Sequence, residues 1–360
     1  MLQTTPTASE RTSLAHSEDY PAFDSLRFVL ASIVALGHAK VITWDRAGSL
    51  AVQVFFAMSG WLIGGILLRS GTKDLPRFFF NRATRIWIPY FTAALVLYIL
   101  SAFRDPVTTR WVEFLFYDVT FTHNWFSLRP EAMSALAEMP LQGTGNHFWS
   151  IATEEQFYLI APLLMVALPF GRSPTFWFAA VPLLWLVNYD FATIGLGVLA
   201  VSAAIRYGHW HTTRSAIAAL SLLACCTGVA MAMGQRYDLL APPFAIAVVL
   251  LAARPGARST IGQFFGGISY PMYLNHWIGA FVAHGINKRL ELVGSFVEGV
   301  CAYGLGVLAG AVAYLLIDRA VLAKRSLYYT PQAGLILGTA AYAIVSIGLL
   351  FGLWRWNIFP

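Results

Sequence analysis

A histidine inside a long apolar segment is the first feature of this sequence that indicates chemistry. His38 follows Arg27 by eleven residues, which is close to three full helical turns, so both side chains fall on one face of a helix. Arg27 is then expected near the cytoplasmic surface and His38 within the depth of the membrane. Imidazole takes up a proton near neutral pH and is suited to deprotonating a hydroxyl group. The spacing indicates either a catalytic base or a histidine hydrogen-bonded in a polar helix contact.

A pair of arginines is the second candidate. Arg82 and Arg85 lie in a short basic segment that precedes an apolar run. Residues three apart share a helix face, so the two guanidinium groups can bind one anionic group through charge-assisted hydrogen bonds. The pair predicts either a clamp for phosphates arriving from the cytoplasm or the positive charge that anchors a helix at the inner membrane surface.

Two further segments carry polar side chains beside apolar sequence. Glu154 and Glu155 are adjacent carboxylates leading into an apolar run, which lipid packing does not explain, although acidic residues also suit the first turn of a helix. Ser269, Tyr273 and His276 lie at helical steps of four and three, so one face carries two hydroxyls and an imidazole. This face is either part of a site or a polar seam between helices.

The composition shows what kind of protein must position these groups. Hydrophobic residues make up 58% of the 360 residues and charged residues 12%, and the mean hydropathy is +0.62. A soluble chain lacks the interior volume for so much apolar side chain, whereas a bilayer is itself an apolar solvent. The composition excludes disordered, collagen-like and disulfide-rich secreted proteins. The net charge is +6, and the basic residues cluster between apolar segments, as is typical of cytoplasmic loops. This pattern predicts no nucleic-acid partner.

Long apolar segments follow one another along most of the chain. Backbone polar groups must be paired within lipid, so these segments predict helices. They lie at about 25–43, 50–68, 86–103, 149–169, 174–189, 191–206, 215–233, 239–253, 262–285, 297–317 and 333–353. The sequence therefore predicts an all-α, polytopic transmembrane bundle of about 10–11 helices, of which one of the shorter segments could be re-entrant.

The connecting segments predict orientation and domains. More of the 24 Lys and Arg residues fall on the side of the N-terminus than on the opposite side, which predicts a cytoplasmic N-terminus. Residues 1–20 are polar without a cleavage pattern and predict a cytoplasmic tail, and residues 21–360 predict a single membrane domain. The long connection at 104–148 falls on the predicted outer face, and its aromatic residues predict a lid or re-entrant element packed over the bundle.

The three cysteines lie inside apolar segments. Cys225, Cys226 and Cys301 are neither spaced as a disulfide framework nor grouped as metal ligands. We expect them to be inert, small buried residues, and we expect no metal site in the protein.

Taken together and in this order, the candidate segments resemble the acyltransferase-3 family of integral membrane O-acyltransferases. The resemblance rests on Asp24-x-x-Arg27 with His38, residues 54–60, Arg82-x-x-Arg85, residues 149–158, and Ser269-Tyr270-Pro-Met-Tyr273-Leu274-x-His276. The family often has Asp at the position of Gln53 and Gly at that of Ser25, and its late Glu-Arg-Pro signature stands here as Asp318-Arg319-Ala320. Some relatives carry an extracellular hydrolase-like domain after the last helix, and we expect this chain to be the stand-alone form.

The resemblance implies transfer of an acyl group, usually acetyl, from cytoplasmic acyl-CoA to a hydroxyl of a glycan or glycosylated metabolite. It also implies a bacterial-type inner membrane. The positions with family roles are His38 and Glu154 as catalytic residues, Arg27, Arg82 and Arg85 as acyl-CoA-binding residues, and Trp149, Ser269, Tyr270 and His276 as supporting residues. His38 would act as the base and Glu154 would orient its imidazole or a water molecule. Acetyl-CoA would be the donor substrate, with no permanently bound cofactor.

Two other classes of protein remain open at this point. Charged groups on membrane spans also mark permeation paths, so a transporter or channel for a small polar solute is the main alternative. The sequence shows no inverted repeat, which counts against that class. A catalytically inactive membrane scaffold is the third possibility.

Overall fold

The fold of this protein, seen in a computed structural model, is built from helices. The structure describes residues 19–134 and 136–357, and these residues contain no strand. Within those residues, thirteen helices have ten residues or more. They are α1 Pro21–His38, α2 Ala47–Arg69, α3 Leu75–Arg104, α4 Thr109–Val119, α5 Trp149–Pro162, α6 Pro174–Val187, α7 Tyr189–Tyr207, α8 Arg214–Ala232, α9 Tyr237–Ala252, α10 Thr260–Arg289, α11 Phe296–Ala313, α12 Arg319–Tyr328 and α13 Pro331–Arg355. Each of the eleven apolar segments falls on one of these helices, so the predicted all-α bundle is confirmed. Of the predicted tail at 1–20, residues 1–18 lie outside the described residues.

Six helical spans in the described residues are long and apolar enough to cross a membrane. These spans are α2, α3 with its preceding turn, α7, α8, α11 continued through α12, and α13. Helices α6 and α9 are apolar but shorter. Helices α1 and α10 are not among these spans.

The end of α1 differs from the predicted span of 25–43. The helix stops at His38, and Lys40 has a φ of 56°, in the left-handed region. The backbone N–H groups of Val41 and Ile42 donate back to the carbonyl of Leu36, which closes the helix. His38 is therefore the last residue of α1 rather than a residue part-way along it.

The start of α3 also differs from the prediction. The helix begins at Leu75 with a proline in its first turn, eleven residues before the predicted start at 86. The basic residues Arg82 and Arg85 thus lie within a helix of 30 residues. Pro89 lies in the same helix and cannot donate the backbone hydrogen bond that would reach the carbonyl of Arg85.

Glycines allow the central helices to approach closely. A Cβ atom placed on Gly60 of α2 would lie 3.0 Å from the Cα atom of Gly197 of α7, so this crossing requires a residue without a side chain. A Cβ atom on Gly266 of α10 would lie 3.0 Å from the Cα atom of Asp24 of α1. The first contact joins α2 to α7 and the second joins α1 to α10, and residues of all four helices belong to one continuous apolar core.

The connection at 104–148 is packed on the bundle rather than free. It contains α4 and short helical turns. The Asp118 carboxylate accepts a hydrogen bond from the Tyr98 hydroxyl of α3 at 2.5 Å, and the Trp125 indole donates to Gln156 Oε1 of α5 at 2.8 Å. The role of this segment as a lid stays a prediction.

The prediction for the cysteines is wrong in one respect. Cys225, Cys226 and Cys301 are free, but their side chains are exposed rather than buried. The reason is that they lie on outward faces of α8 and α11, two helices that are apolar enough to cross a membrane.

Candidate active site

A cavity of about 340 Å³ lies between α1, α2, α3, α5 and α10, and we call it the arginine cavity. Its size is at the lower end of the range for small-molecule sites. Five arginines line it, namely Arg27, Arg69, Arg82, Arg85 and Arg258. Several cations on one concave surface create a positive potential that favours an anionic ligand.

Asp24 lines the arginine cavity and is already paired. Its carboxylate, 2% exposed, accepts hydrogen bonds from Arg258 Nε at 2.6 Å and Nη2 at 2.7 Å, and it lies 3.5 Å from Arg27 Nη1. The hydrogen bonds to Asp24 raise the pKa of the Arg258 guanidinium above its ordinary value. This bidentate pair ties the segment before α10 to the first turn of α1, and one carboxylate is shared by two of the five arginines.

Glu154 also lines the cavity, and two hydroxyls hold its carboxylate. Ser59 Oγ donates to Glu154 Oε1 at 2.7 Å, and the Tyr158 hydroxyl donates to Oε2 at 2.8 Å. Glu154 is expected to orient the imidazole of His38 or a water molecule, and neither of these two hydrogen bonds reaches His38, whose ring contacts His276. A catalytic role for Glu154 stays a prediction.

Two hydrogen-bond donors at the cavity lack acceptors within the described part of the chain. They are Trp61 Nε1 and Arg82 Nε, both buried atoms of residues that line the cavity. A buried donor without a partner costs about 1–3 kcal/mol.

The end of the cavity farthest along α10 is formed by two hydroxyls in contact. Ser150 Oγ and the Tyr273 hydroxyl are 2.6 Å apart, and the Tyr273 hydroxyl donates to the carbonyl of His147 at 2.8 Å. Ser269 and Tyr270 line the same wall one helical turn earlier; Ser269 Oγ donates to the carbonyl of Gly266 at 2.7 Å.

Three imidazoles lie next to this wall, and we call them the histidine cluster: His38, His147 and His276. The ring centroid of His276 is 4.9 Å from that of His38 and 5.0 Å from that of His147. His38 Nδ1 and His276 Nε2 are 2.7 Å apart. The described residues contain no group of three or more His, Cys, Asp or Glu that could hold a metal ion.

Tyr273 connects the two parts of the site. Its side chain lines the arginine cavity, and its backbone carbonyl lies 2.8 Å from Nδ1 of His276. His38 itself is exposed at the end of α1 and does not line the cavity. The chemistry-bearing residues thus form a cavity and an adjacent cluster, separated by the Ser150–Tyr273 contact.

The structure brings most of the predicted site residues together in two groups. The arginine cavity contains six of them: Arg27, Arg82, Arg85, Glu154, Ser269 and Tyr270. The histidine cluster contains His38 and His276. Trp149 belongs to neither group, because its ring packs edge-on against Phe56 with the centroids 5.7 Å apart.

The sequence alone indicates no site role for Arg69, Arg258 or Ser150, three residues that line the cavity. Arg69 and Arg258 counted only as positive charge on the predicted inner side, although Arg258 stands directly before the helix that carries Ser269. Ser150 and Tyr273 stood within the segments that carry the family resemblance, and their spacing alone could not show that they touch.

The comparisons with known proteins agree with this architecture. The sequence profile of the acyltransferase-3 family, described as an acyltransferase domain, matches residues 20–316. The chain is 29% identical over 195 residues to the peptidoglycan O-acetyltransferase OatA of Listeria monocytogenes, covering 51% of this chain and 30% of that protein. It is 30% identical over 156 residues to the O-acetyltransferase OatA of Staphylococcus aureus, covering 41% of this chain and 25% of that protein.

The matched regions thus span less than a third of either relative. No solved structure matches the chain. The family profile, in contrast, extends over most of the sequence, from the start of α1 through α11. On that match, and with a polytopic helical bundle that holds the family's motif residues, this chain belongs to the acyltransferase-3 family.

Proposed function

We propose that the protein is a membrane O-acyltransferase that moves an acyl group, in the first instance acetyl, from cytoplasmic acyl-CoA to a hydroxyl of a cell-surface or secreted carbohydrate. The observation that carries the proposal is the convergence of five arginines on one cavity that Tyr273 also lines. The backbone carbonyl of Tyr273 contacts the ring of His276, which in turn contacts the ring of His38. An anion site and a candidate base are therefore adjacent but separate.

The arginine cavity is the binding site for the donor in this proposal. Coenzyme A carries several negative charges at one end and a thin, nearly neutral pantetheine arm at the other. Arg82 and Arg85 bind the phosphates through charge-assisted hydrogen bonds, with Arg27 beside them. The arm then extends toward Ser150 and Tyr273, whose side chains separate to let the thioester reach His38.

His38 performs the proton transfer in this proposal. Its free ring nitrogen takes the proton of the acceptor hydroxyl while the hydroxyl oxygen forms the new ester bond with the thioester carbonyl carbon. The carbon–sulfur bond breaks, and the proton passes from His38 to the departing thiolate. General base catalysis of this kind contributes roughly 10²–10⁴ in rate.

The positions of the site residues along the bundle support the acceptor and the location that we propose. The arginines that bind the donor lie near the start of α1 and of α3, so they face the cytoplasm when the N-terminus is cytoplasmic. His38 lies at the other end of α1, where a carbohydrate outside the inner membrane can approach. The names of the two relatives, one of them a peptidoglycan O-acetyltransferase, favour a polymer of sugars as the acceptor class.

The test uses the full chain in proteoliposomes with acetyl-CoA labelled in the acetyl group. Label that forms an alkali-labile ester on added cell-envelope glycan, and that is absent with His38→Ala, supports the proposal. Uptake of the labelled compound without ester formation would indicate a transporter instead and would overturn it. A survey of native glycans by mass spectrometry, with and without the protein in cells, then identifies the acceptor.

A further inference from the structure

The hydrogen bonds around His276 define a chain that runs from the backbone to His38. We propose that His276 is a positioning residue that fixes the tautomer of His38, with the proton on Nδ1 and the lone pair on Nε2. The inference rests on the proposed function in one respect only, namely that the lone pair on Nε2 of His38 accepts the proton of the acceptor hydroxyl. It assigns His276 a physical role that the family resemblance leaves undefined.

The chain begins at the carbonyl of Tyr273. This oxygen lies 2.8 Å from Nδ1 of His276, and a carbonyl oxygen can only accept a hydrogen bond. Nδ1 of His276 therefore carries a proton. The partner is a backbone atom of the helical turn on which His276 itself lies, so this contact persists as long as α10 is intact.

The second link joins the two imidazoles. A neutral imidazole has one N–H group, so Nε2 of His276 carries a lone pair. Nδ1 of His38 lies 2.7 Å from that atom and must donate to it. The proton of neutral His38 is thus held on Nδ1, and its Nε2 carries the lone pair.

The other neighbouring imidazole cannot perform this function. Nδ1 of His147 lies 3.0 Å from the carbonyl of Thr144, and its Nε2 lies 3.3 Å from the carbonyl of Leu274. Both nitrogens of His147 face acceptors, so neither of them offers a lone pair to His38. His276 is the neighbour whose lone pair faces His38.

Burial distinguishes the two members of the pair. His276 is 6% exposed and held by the backbone, whereas His38 is exposed at the end of α1. A substrate can therefore reach Nε2 of His38 but not the ring of His276. When His38 accepts a proton on Nε2, its Nδ1–H still faces the lone pair of His276. The arrangement orients a base through a second group, as a carboxylate does for histidine in hydrolytic triads.

The direct experiment measures the tautomer. The full-length protein, labelled with nitrogen-15 at histidine and reconstituted in lipid nanodiscs, gives ring nitrogen signals that distinguish Nδ1–H from Nε2–H. The His38 signals are assigned by their loss in His38→Gln. We expect the Nδ1–H form in the wild-type protein and a shift toward the Nε2–H form in His276→Leu. An Nε2–H form in the wild-type protein would overturn the inference, and this measurement needs neither enzymatic activity nor a His276 variant.

The kinetic experiment separates positioning from folding. In His276→Leu we expect kcat to fall about 100-fold with an unchanged KM for acetyl-CoA, and in His276→Asn, whose amide oxygen can accept from Nδ1–H, we expect part of the rate to return. The matched control is His284→Ala, an exposed histidine on the same helix that pairs with Glu298 at 3.0 Å, and we expect wild-type rates for it.

An unchanged kcat in His276→Leu would refute the positioning role while leaving acyl transfer established. Absence of transfer in the wild-type protein would instead refute the proposed function, and the tautomer measurement would still decide the inference.

Discussion

The arginine cavity and the histidine cluster differ in the charge of their polar groups and in how those groups are paired. The cavity collects five guanidinium groups and pairs them with few carboxylates, so it is built to gain energy from a charged ligand. The cluster contains three imidazoles whose hydrogen-bond partners are backbone carbonyls and one another. In the proposed mechanism, this difference separates donor binding from proton transfer along one bundle. Substitutions at the two ends should consequently alter different kinetic constants.

The largest effect is expected at the histidine cluster. His38→Ala should reduce acyl transfer by roughly 10²–10⁴ because the general base is lost, while acetyl-CoA still binds with wild-type affinity. Purified protein in nanodiscs, titrated with acetyl-CoA by calorimetry and assayed for ester formation, measures both quantities. Transfer retained by purified His38→Ala would remove His38 from the mechanism.

The next largest effect is expected at the arginine cavity. Arg82→Ala and Arg85→Ala should each weaken acetyl-CoA binding roughly 10- to 100-fold, since a hydrogen bond to a charged group contributes about 1.5–3 kcal/mol. The KM for the glycan acceptor should stay unchanged. Arg206→Ala, at the exposed end of α7, is the matched control for loss of one positive charge. Wild-type coenzyme A affinity in both cavity variants would refute the donor site.

A smaller effect, on the stability of the fold, is expected at the Asp24–Arg258 pair of the cavity. Asp24→Asn should destabilise the fold by about 1–3 kcal/mol, because Arg258 loses a charged, buried partner. Thermal unfolding in detergent measures the change. Asp238→Asn removes an exposed carboxylate that also pairs with an arginine at 2.5 Å, and it should leave the melting temperature unchanged. Equal shifts in melting temperature for Asp24→Asn and Asp238→Asn would contradict the stabilising role of the buried Asp24–Arg258 pair.

The smallest effect is expected from salt. Raising the ionic strength from about 0.1 M to about 1 M shortens the Debye length from ~10 Å to ~3 Å, so the KM for acetyl-CoA should rise several-fold. The kcat at saturating donor should stay constant, because the histidine cluster carries no paired charge. A salt-dependent kcat with a constant KM would reverse the roles of the two regions.

The sequence predicted the helices better than their ends. All eleven apolar segments are helical because long apolar runs have no other form in lipid. The start of α3 was placed eleven residues late, since Arg82 and Arg85 lower the local hydropathy. Those arginines are helical because α3 begins at Leu75 and continues without a break into the apolar run. Helical spacing alone gave the shared face of Ser269, Tyr273 and His276.

Long-range contacts are what the sequence could not supply. His38 and His276 are 238 residues apart, and no spacing rule relates them. The same holds for Asp24 and Arg258, which are 234 residues apart. Residue types predict that Glu154 orients the imidazole of His38 or a water molecule, but they could not predict that Ser59 and Tyr158 hold its carboxylate.

The Asp24–Arg258 pair also constrains the order in which this protein matures. Asp24 leaves the ribosome early, whereas Arg258 and the tyrosines of α10 follow more than two hundred residues later. A partly synthesised chain therefore holds an incomplete arginine cavity, in which Asp24 lacks its main cationic partner. Under the proposed function, acyl-CoA meets a complete arginine cavity only after α10 has joined the bundle.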